Sequence, residues 1–341
     1  MKACVARPTT SCPGSTGTWA DVRIVVTGAL GHIGSALVRS LPRAFPNAEI
    51  LMVDDLSTQR YCSLFDLPQE GRYRFVEADI LRADLRELFE GADAVVHLAA
   101  VTNAEQSFDA AELVERVNLQ GTERVATECA RGGATLLFLS TTSVYGVQSG
   151  VVDEDCPREQ LVPQSPYAAS KLRAEELLAA LARDGLRAIV LRFGTIVGRS
   201  PGMRFHTAVN KFCWQAAMGT PLTVWRTALD QRRPYLELGD GVRAIEFALE
   251  RRPHGRLFNV VTANATVGEI VDHVRAFVPD VSIELVESRV MNQLSYEVDG
   301  LRIRAAGLEL RGDLRAAIGA TVDALRGVRR WTPQGLVSSR A

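Results

Sequence analysis

From Val22 onward, short runs of aliphatic and β-branched residues alternate with stretches whose apolar positions recur every three to four residues. The first pattern reads as a strand buried on both faces, the second as an amphipathic helix. Together they predict a strand over Val22–Val26, a helix over Ile33–Leu41, and strands over Glu49–Val53 and Tyr73–Glu77. The series continues with a helix near Asp84–Phe89, a strand over Ala94–Leu98, a helix near Leu113–Arg131 and a strand over Thr135–Ser140. A helix from Pro166 to about Arg183 and a strand over Arg187–Arg192 complete it. Repeated strand–helix–strand units of this length build an α/β fold with a doubly wound parallel sheet.

Beyond Gly198 the rhythm loosens, and Pro201, Gly202, Gly219, Pro221 and Pro234 punctuate short elements. Residues 21–198 are therefore expected to form the main domain, and 199–341 a smaller, less regular lobe with some segments returning to the sheet. Residues 1–20 are polar and aperiodic and read as a loose extension.

Composition narrows the function classes. The 341 residues suit one large domain or two joined ones, and 47% hydrophobic with 23% charged residues excludes intrinsic disorder. Thirty-nine Lys and Arg against forty Asp and Glu leave a formal charge of −1, so no global field draws the chain to nucleic acid or a membrane surface. No apolar run approaches the ~18–20 residues that span a bilayer. The six cysteines, at 4, 12, 62, 129, 156 and 213, form no CxxC pair and have no histidine at ligand spacing. They read as reduced thiols, with no metal expected. The N-terminal stretch lacks the apolar core of a signal peptide, so a cytoplasmic protein is the expectation.

Two motifs carry chemistry. Gly28, Gly31 and Gly34 lie at a strand-to-helix turn: the first permits a tight turn, the second lets backbone approach a pyrophosphate, and the third lets helix pack on strand. The helix N-terminus would add amide donors and a positive dipole end, although a ligand-free turn would use the same glycines. One unit later the strand ends in Asp54 and Asp55, where a carboxylate can accept a ribose 2′-hydroxyl and repel a 2′-phosphate, favouring NAD over NADP. Farther on, Ser165–Lys171 opens a helix with Tyr167 and Lys171 at i and i+4 on one face. An ammonium beside a phenol lowers the phenol's pKa and makes it a usable base. Upstream, the run Ser140–Ser143 places a hydroxyl cluster at a strand end, with Thr141 set against a substrate oxygen or, alternatively, the cluster capping the following turn.

These pieces, in this order, resemble the extended short-chain dehydrogenase/reductase family, specifically its NAD-dependent sugar-nucleotide epimerase/dehydratase group, of the UDP-glucose 4-epimerase kind. The matching segments are Thr27–Gly34, Asp54–Ser57, Ala78–Ile80, His97–Ala100, Asn118–Thr122, Ser140–Gly146 and Tyr167 with Lys171. The resemblance implies a Rossmann sheet with a C-terminal substrate lobe, NAD as cofactor, a nucleotide-diphosphate sugar as substrate, and a homodimer paired through the helices near 113–131 and 167–183. It implies that Gly28, Leu30, Gly31, His32, Ile33 and Gly34 face the cofactor's phosphates, and that Asp54, Asp55 and Ser57 face its adenosine ribose. Asp79 and Ile80 would hold the adenine, Ala99 and Ala100, flanked by Leu98 and Thr102, would pass the pyrophosphate and ribose, and Lys171 would bond the nicotinamide ribose. Asn118 would support the active-site geometry, Thr141 would bond the reacting hydroxyl, and Tyr167 would be the base. On the substrate side it points to Thr102, Thr142, Ser143, Thr195 in place of the family's usual Asn, and Arg233 and Arg289 as diphosphate clamps.

The reaction follows from two positions. The group's dehydratases carry an Asp–Glu pair after the catalytic Thr, and here those positions are Thr142 and Ser143, which cannot do that proton chemistry. The expectation is epimerisation, at C4, through a transient keto sugar. A keto-sugar reductase or dehydrogenase, a dehydratase and a non-catalytic NAD-binding sensor are the alternatives.

Overall fold

A computed structural model describes residues 22–104, 106–287, 295–328, 331–332 and 335–336. Its centre is a sheet of seven parallel strands: β1 (Arg23–Thr27), β2 (Glu49–Asp54), β3 (Arg72–Glu77), β4 (Ala94–His97), β5 (Thr135–Thr141), β6 (Ala188–Phe193) and β7 (Leu257–Val260). The spatial order is β3-β2-β1-β4-β5-β6-β7. The chain reverses direction across the sheet between β1 and β4, which pair from Ile24 with Ala94 to Thr27 with His97. That reversal leaves a crevice at the carboxyl ends of these two strands, where open α/β sheets bind ligands.

Both faces of the sheet are covered, which is why its strands read as continuous apolar runs. Ile24 and Val26 of β1 join a core with Leu37, Val38 and Leu41 of α1 (His32–Ala44) on one face. Val25 between them points the other way, into a core with Val125 and Ala126 of α2 (Gly121–Gly132) and Ala174 and Leu178 of α3 (Pro166–Arg183). A later helix, α4 (Leu238–Arg251), packs Ala244, Ile245 and Ala248 into the first core, and β7 extends the sheet beside β6. Residues 238–260 thus belong to the sheet layer although they follow the segments of the second lobe.

The second lobe has its own small sheet, in which Arg232–Glu237 lies between Thr195–Val197 (parallel) and Ala263–Thr266 (antiparallel). Helices Ala208–Ala217, Val267–Arg275 and Leu314–Leu325 pack Phe212, Ile270, Val274 and Ile318 over it. No helix among the described residues is long and apolar enough to cross a membrane.

One buried ion pair ties the layers together. Glu175 of α3 accepts three hydrogen bonds from Arg192 of β6, at 3.0, 3.2 and 2.6 Å, and a fourth from the Ser140 hydroxyl of β5. Burial works against the Arg192 charge, but Glu175 outweighs it and holds the guanidinium above its ordinary pKa. The guanidinium also stacks over the Tyr145 ring, 4.8 Å from its centroid. Replacing Glu175 with Gln would strand a buried cation, and the expected cost is about 3–5 kcal/mol in urea unfolding. The double variant Glu175→Leu/Arg192→Met should recover most of that loss, because it removes both charges together.

Candidate active site

The site lies over the crevice between β1 and β4 and has two connected compartments. The first turn sets its floor. Gly28 has φ +66°, and a Cβ there would stand 2.6 Å from the Ala99 nitrogen; a Cβ on Gly34 would stand 2.4 Å from the Gly28 oxygen. Only glycine allows β1, the loop after β4 and helix α1 to approach this closely. No side chain caps the N-terminus of α1, so its first amides are left for an anionic ligand.

The outer compartment is lined by Gly28, Gly31, Asp54, Asp55, Ser57, Asp79, Ile80, Leu98, Ala99 and Ala100. Asp54 is half-buried, and its carboxylate accepts from the Leu30 amide at 3.0 Å and the Leu56 amide at 3.1 Å. Burial pushes its pKa up while those two amides pull it down. Asp55 is exposed and holds Ser57 through both its amide and its hydroxyl. Asp79 accepts from the Leu81 amide at 2.8 Å, shaping the turn that presents Ile80.

The inner compartment is lined by Gly28, Gly31, His32, Ile33, Gly34, Leu98, Ala100, Thr102, Thr141, Ser143, Tyr167, Lys171 and Thr195. Its reactive pair is placed by α3. Ser165 caps that helix by accepting from the Ala168 amide, and Pro166 fixes the first turn, so Tyr167 enters at the mouth and Lys171 one turn deeper. The Thr141 side chain faces the Tyr167 phenol, whose pKa it lowers, and accepts from the Ser143 amide at 3.1 Å. It therefore both faces the reactive phenol and caps the turn Thr142–Tyr145.

Lys171 is buried, donates to the Leu139 carbonyl at 2.8 Å and sits 4.5 Å from the centroid of the Phe138 ring. Burial lowers it to about 7, with Glu175 acting in the opposite sense. Burial raises Tyr167 to about 12, and the groups opposing this are the Thr141 hydrogen bond and then the charge of Arg204. The cation expected to depress the phenol was Lys171; in the protein itself Arg204 does so instead, while the Lys171 charge falls on His97.

Several expected contacts lie elsewhere. Asn118 is buried behind the groove in a π-helical turn, Arg116–Gln120. Its amide oxygen accepts from Val101 N, and its nitrogen donates to Val101 O and Ser170 Oγ, so it positions a loop and helix α3 without lining the cavity. Leu30 is buried; its amide goes to Asp54 and its carbonyl to Ser63. Thr142 turns inward, toward the Phe193 carbonyl and the Tyr296 hydroxyl, each at 3.3 Å. Arg233 lies outside the cavity lining, bonded to Gln231 and 5.8 Å from the centroid of the Trp225 ring. Arg289 lies outside the described residues. In the other direction, Arg60, Arg204 and His206 line the site without having been expected there. The last two sit in the Pro- and Gly-punctuated stretch after Gly198, where the only signal is a pair of basic residues, Arg204 and His206, in an otherwise apolar Met203–Thr207 run.

The residues present fit a dinucleotide: a glycine cradle that a Cβ would fill, an uncapped helix end, and a half-buried carboxylate beyond the second strand. Comparison with known proteins agrees. The model of the NAD dependent epimerase/dehydratase family matches residues 24–261. A trifunctional UDP-glucose 4,6-dehydratase/UDP-4-keto-6-deoxy-D-glucose 3,5-epimerase/UDP-4-keto-L-rhamnose-reductase of Arabidopsis thaliana is 30% identical over 329 residues, covering 90% of this chain and 47% of its own. The chain thus spans about half the length of such trifunctional relatives. A dTDP-glucose 4,6-dehydratase of Streptomyces griseus is 32% identical over 320 residues, covering 90% of this chain and 95% of its own. Among solved structures, MoeE5 in complex with UDP-glucose and NAD superposes with a TM-score of 0.79 at 26% identity, over 89% of this chain and 99% of that one.

Behind the site, His97 joins the two sheet halves. Thr122 donates to the Asn118 carbonyl, which leaves its oxygen to accept from His97 Nε2 at 3.1 Å, and His97 Nδ1 accepts from Thr27 at 2.7 Å. Burial, and then the Lys171 charge, lower His97 from 6.5 to about 3. Above pH 6.5 neither folded nor unfolded chain is protonated there. Below it the unfolded chain takes a proton that the folded one refuses, so this stability is lost as pH falls toward 3. Thermal unfolding of His97→Gln should therefore show a shallower loss of Tm between pH 6.5 and 4 than the parent protein; parallel curves would contradict the neutral assignment.

Proposed function

The chain belongs to the NAD dependent epimerase/dehydratase family, and from that premise we propose that it is a nucleotide-sugar epimerase that inverts C4 of a nucleotide-diphosphate sugar through a transient keto sugar. The observation that carries this reading is the lining of the inner compartment, which holds Thr141, Ser143, Tyr167, Lys171, Thr195 and His206 but no Asp or Glu among the described residues. Eliminating water across C5 and C6 needs an acid and a base poised near neutral pH, and carboxylates are the usual suppliers. Oxidation and reduction at one carbon need only a base for the hydroxyl proton.

NAD, when bound, supplies a reversible hydride acceptor. Gly28, Gly31 and the α1 N-terminus would hold its phosphates, Asp54 its adenosine ribose, and Lys171 its nicotinamide ribose. Thr141 would hold the C4 oxygen by hydrogen bond while Tyr167 takes its proton, its phenol brought down from its raised value by the positive nicotinamide ring of bound NAD. The Thr141 hydroxyl faces the Tyr167 phenol, so a sugar hydroxyl entering between them could bond to both. Inversion then requires the keto sugar to turn over in the cavity, after which Tyr167 returns the proton. Gly194 and Thr195 are small residues in the lining of that cavity.

Two chains are further proposed to pair through the adjoining helices of residues 111–132 and 166–183, which are joined across their surface by the Arg173–Glu115 ion pair. Sedimentation at micromolar concentration should show a dimer, and a strictly monomeric species would contradict it.

For the chemistry, Tyr167→Phe should keep NAD and sugar-nucleotide affinity near the parent values, since the ring still fills its place, while kcat falls roughly 10²- to 10⁴-fold. Turnover should leave no net NADH. Consumption or accumulation of NADH in step with product would instead make the enzyme a reductase or dehydrogenase.

A further inference from the structure

Two arginines meet where the compartments join, and the catalytic reading uses neither of them to bind anything. Arg60 follows β2 and lines the outer compartment; its Nη1 lies 3.8 Å from where a Cβ on Gly31 would stand. Arg204 lines both compartments, as do Gly28 and Gly31. The two guanidinium groups therefore flank the glycine turn, one on its outer side and one at the junction.

Neither has a counter-charge of its own. No carboxylate stands within ion-pair distance of either among the described residues, and Arg60 Nη1 is buried with no hydrogen-bond partner. Asp54 attracts both, but its oxygens accept from the Leu30 and Leu56 amides. Burial, followed by the charge of Arg204, lowers Arg60 to about 10. The two histidines nearby add no competing charge at neutral pH. His32 and His206 are each lowered to about 4, first by burial and further by these guanidinium groups, with the bond to Gly198 acting in the opposite sense on His32. Two positive charges thus face one gap, held there at electrostatic cost.

The segment that carries Arg204 is fastened to the glycine turn. His32 Nε2 donates to the Gly198 carbonyl at 2.9 Å, Ser200 Oγ donates to His32 O at 2.8 Å, and Gly202 N donates to Ser35 Oγ at 2.9 Å. Gly202 packs so closely that a Cβ would stand 2.1 Å from the Leu30 oxygen. The position of Arg204 is thereby set by the same turn that a dinucleotide's phosphates approach.

We propose that Arg60 and Arg204 form a two-guanidinium clamp on the pyrophosphate of the bound dinucleotide, with residues 198–204 as the strap that brings Arg204 to it. The pyrophosphate joins the two nucleosides and carries two negative charges, which matches the junction in place and in charge. Planar guanidinium forks suit phosphate oxygens, and charge-assisted hydrogen bonds are the strong ones. The clamp rests on dinucleotide binding and is indifferent to which sugar reaction follows. It also gives a reason for the cofactor to stay bound between turnovers, because release requires both guanidinium groups to be left unpaired again.

The test is calorimetry on the full cofactor-free chain with ADP-ribose, which has the pyrophosphate but no nicotinamide, and with neutral adenosine measured by competition. Arg60→Ala and Arg204→Ala should each weaken ADP-ribose roughly 10- to 100-fold and leave adenosine unchanged, with the Lys variants intermediate. Parent affinity for ADP-ribose should fall with added salt more steeply than that of either variant. Without cofactor, the thermal midpoint of each Ala variant should equal or exceed the parent's, since an unpaired charge has been removed. Equal loss for adenosine, or a lowered cofactor-free midpoint, would mean that the arginines only shape the pocket. If Arg60→Ala leaves ADP-ribose untouched and changes only the response to a 2′-phosphate, Arg60 reads the ribose and the clamp is wrong. A parent protein that binds no ADP-ribose would overturn the dinucleotide reading itself, an outcome distinct from variants that bind as well as the parent.

Discussion

The Glu175–Arg192 pair is the constraint on which the active geometry depends. It joins the helix that carries Tyr167 and Lys171 to β6, and through Ser140 to β5, the strand that ends in Thr141. Apolar packing alone would let α3 slide along the sheet by fractions of an ångström at small cost. A bidentate ion pair with a buried third partner has one good geometry, and losing it exposes an uncompensated charge to a medium that solvates it poorly. The reactive phenol and the hydroxyl facing it are thus held in register by a contact that never touches the cavity.

Around that fixed point the remaining polar residues act as spacers. Asn118 clamps the Val101 backbone and the Ser170 hydroxyl, and Ser170 in turn donates to the Tyr167 carbonyl at 2.8 Å. His97 links β1, β4 and the start of α2 in a neutral state. These groups have fully satisfied partners and small cavity exposure, the pattern of a preorganised scaffold. By contrast, Arg60 Nη1, buried without a hydrogen-bond partner, and the uncapped α1 N-terminus lie at the groove.

Much of this was legible in the chain. Several elements lie within a residue or two of their expected bounds because each is long, periodic and buried, as for Thr135–Thr141 and Pro166–Arg183, whereas the helix expected over Leu113–Arg131 is interrupted by the π-helical turn Arg116–Gln120 and the edge strand Leu257–Val260 had no local signal. The glycine turn was legible because its residue types follow from steric demands that a Cβ cannot meet. What stayed hidden depends on contacts between distant segments. That Thr142 turns inward, toward Tyr296, and that Arg204 reaches the glycine turn are facts of tertiary packing, with no local periodicity to reveal them. That Arg204 lowers Tyr167 has the same origin: spacing puts Tyr167 and Lys171 on one helix face, but burial lowers Lys171 and its ammonium is directed to Leu139.

The central claim is that the cavity can move a hydroxyl proton but cannot eliminate water. The most direct measurement is to incubate the NAD-loaded protein with UDP- and dTDP-hexoses in deuterated water and to follow the sugar by NMR. The account predicts a C4 epimer that retains its C6 oxygen and carries no deuterium at C5. A 4-keto-6-deoxy sugar with deuterium at C5 would contradict it.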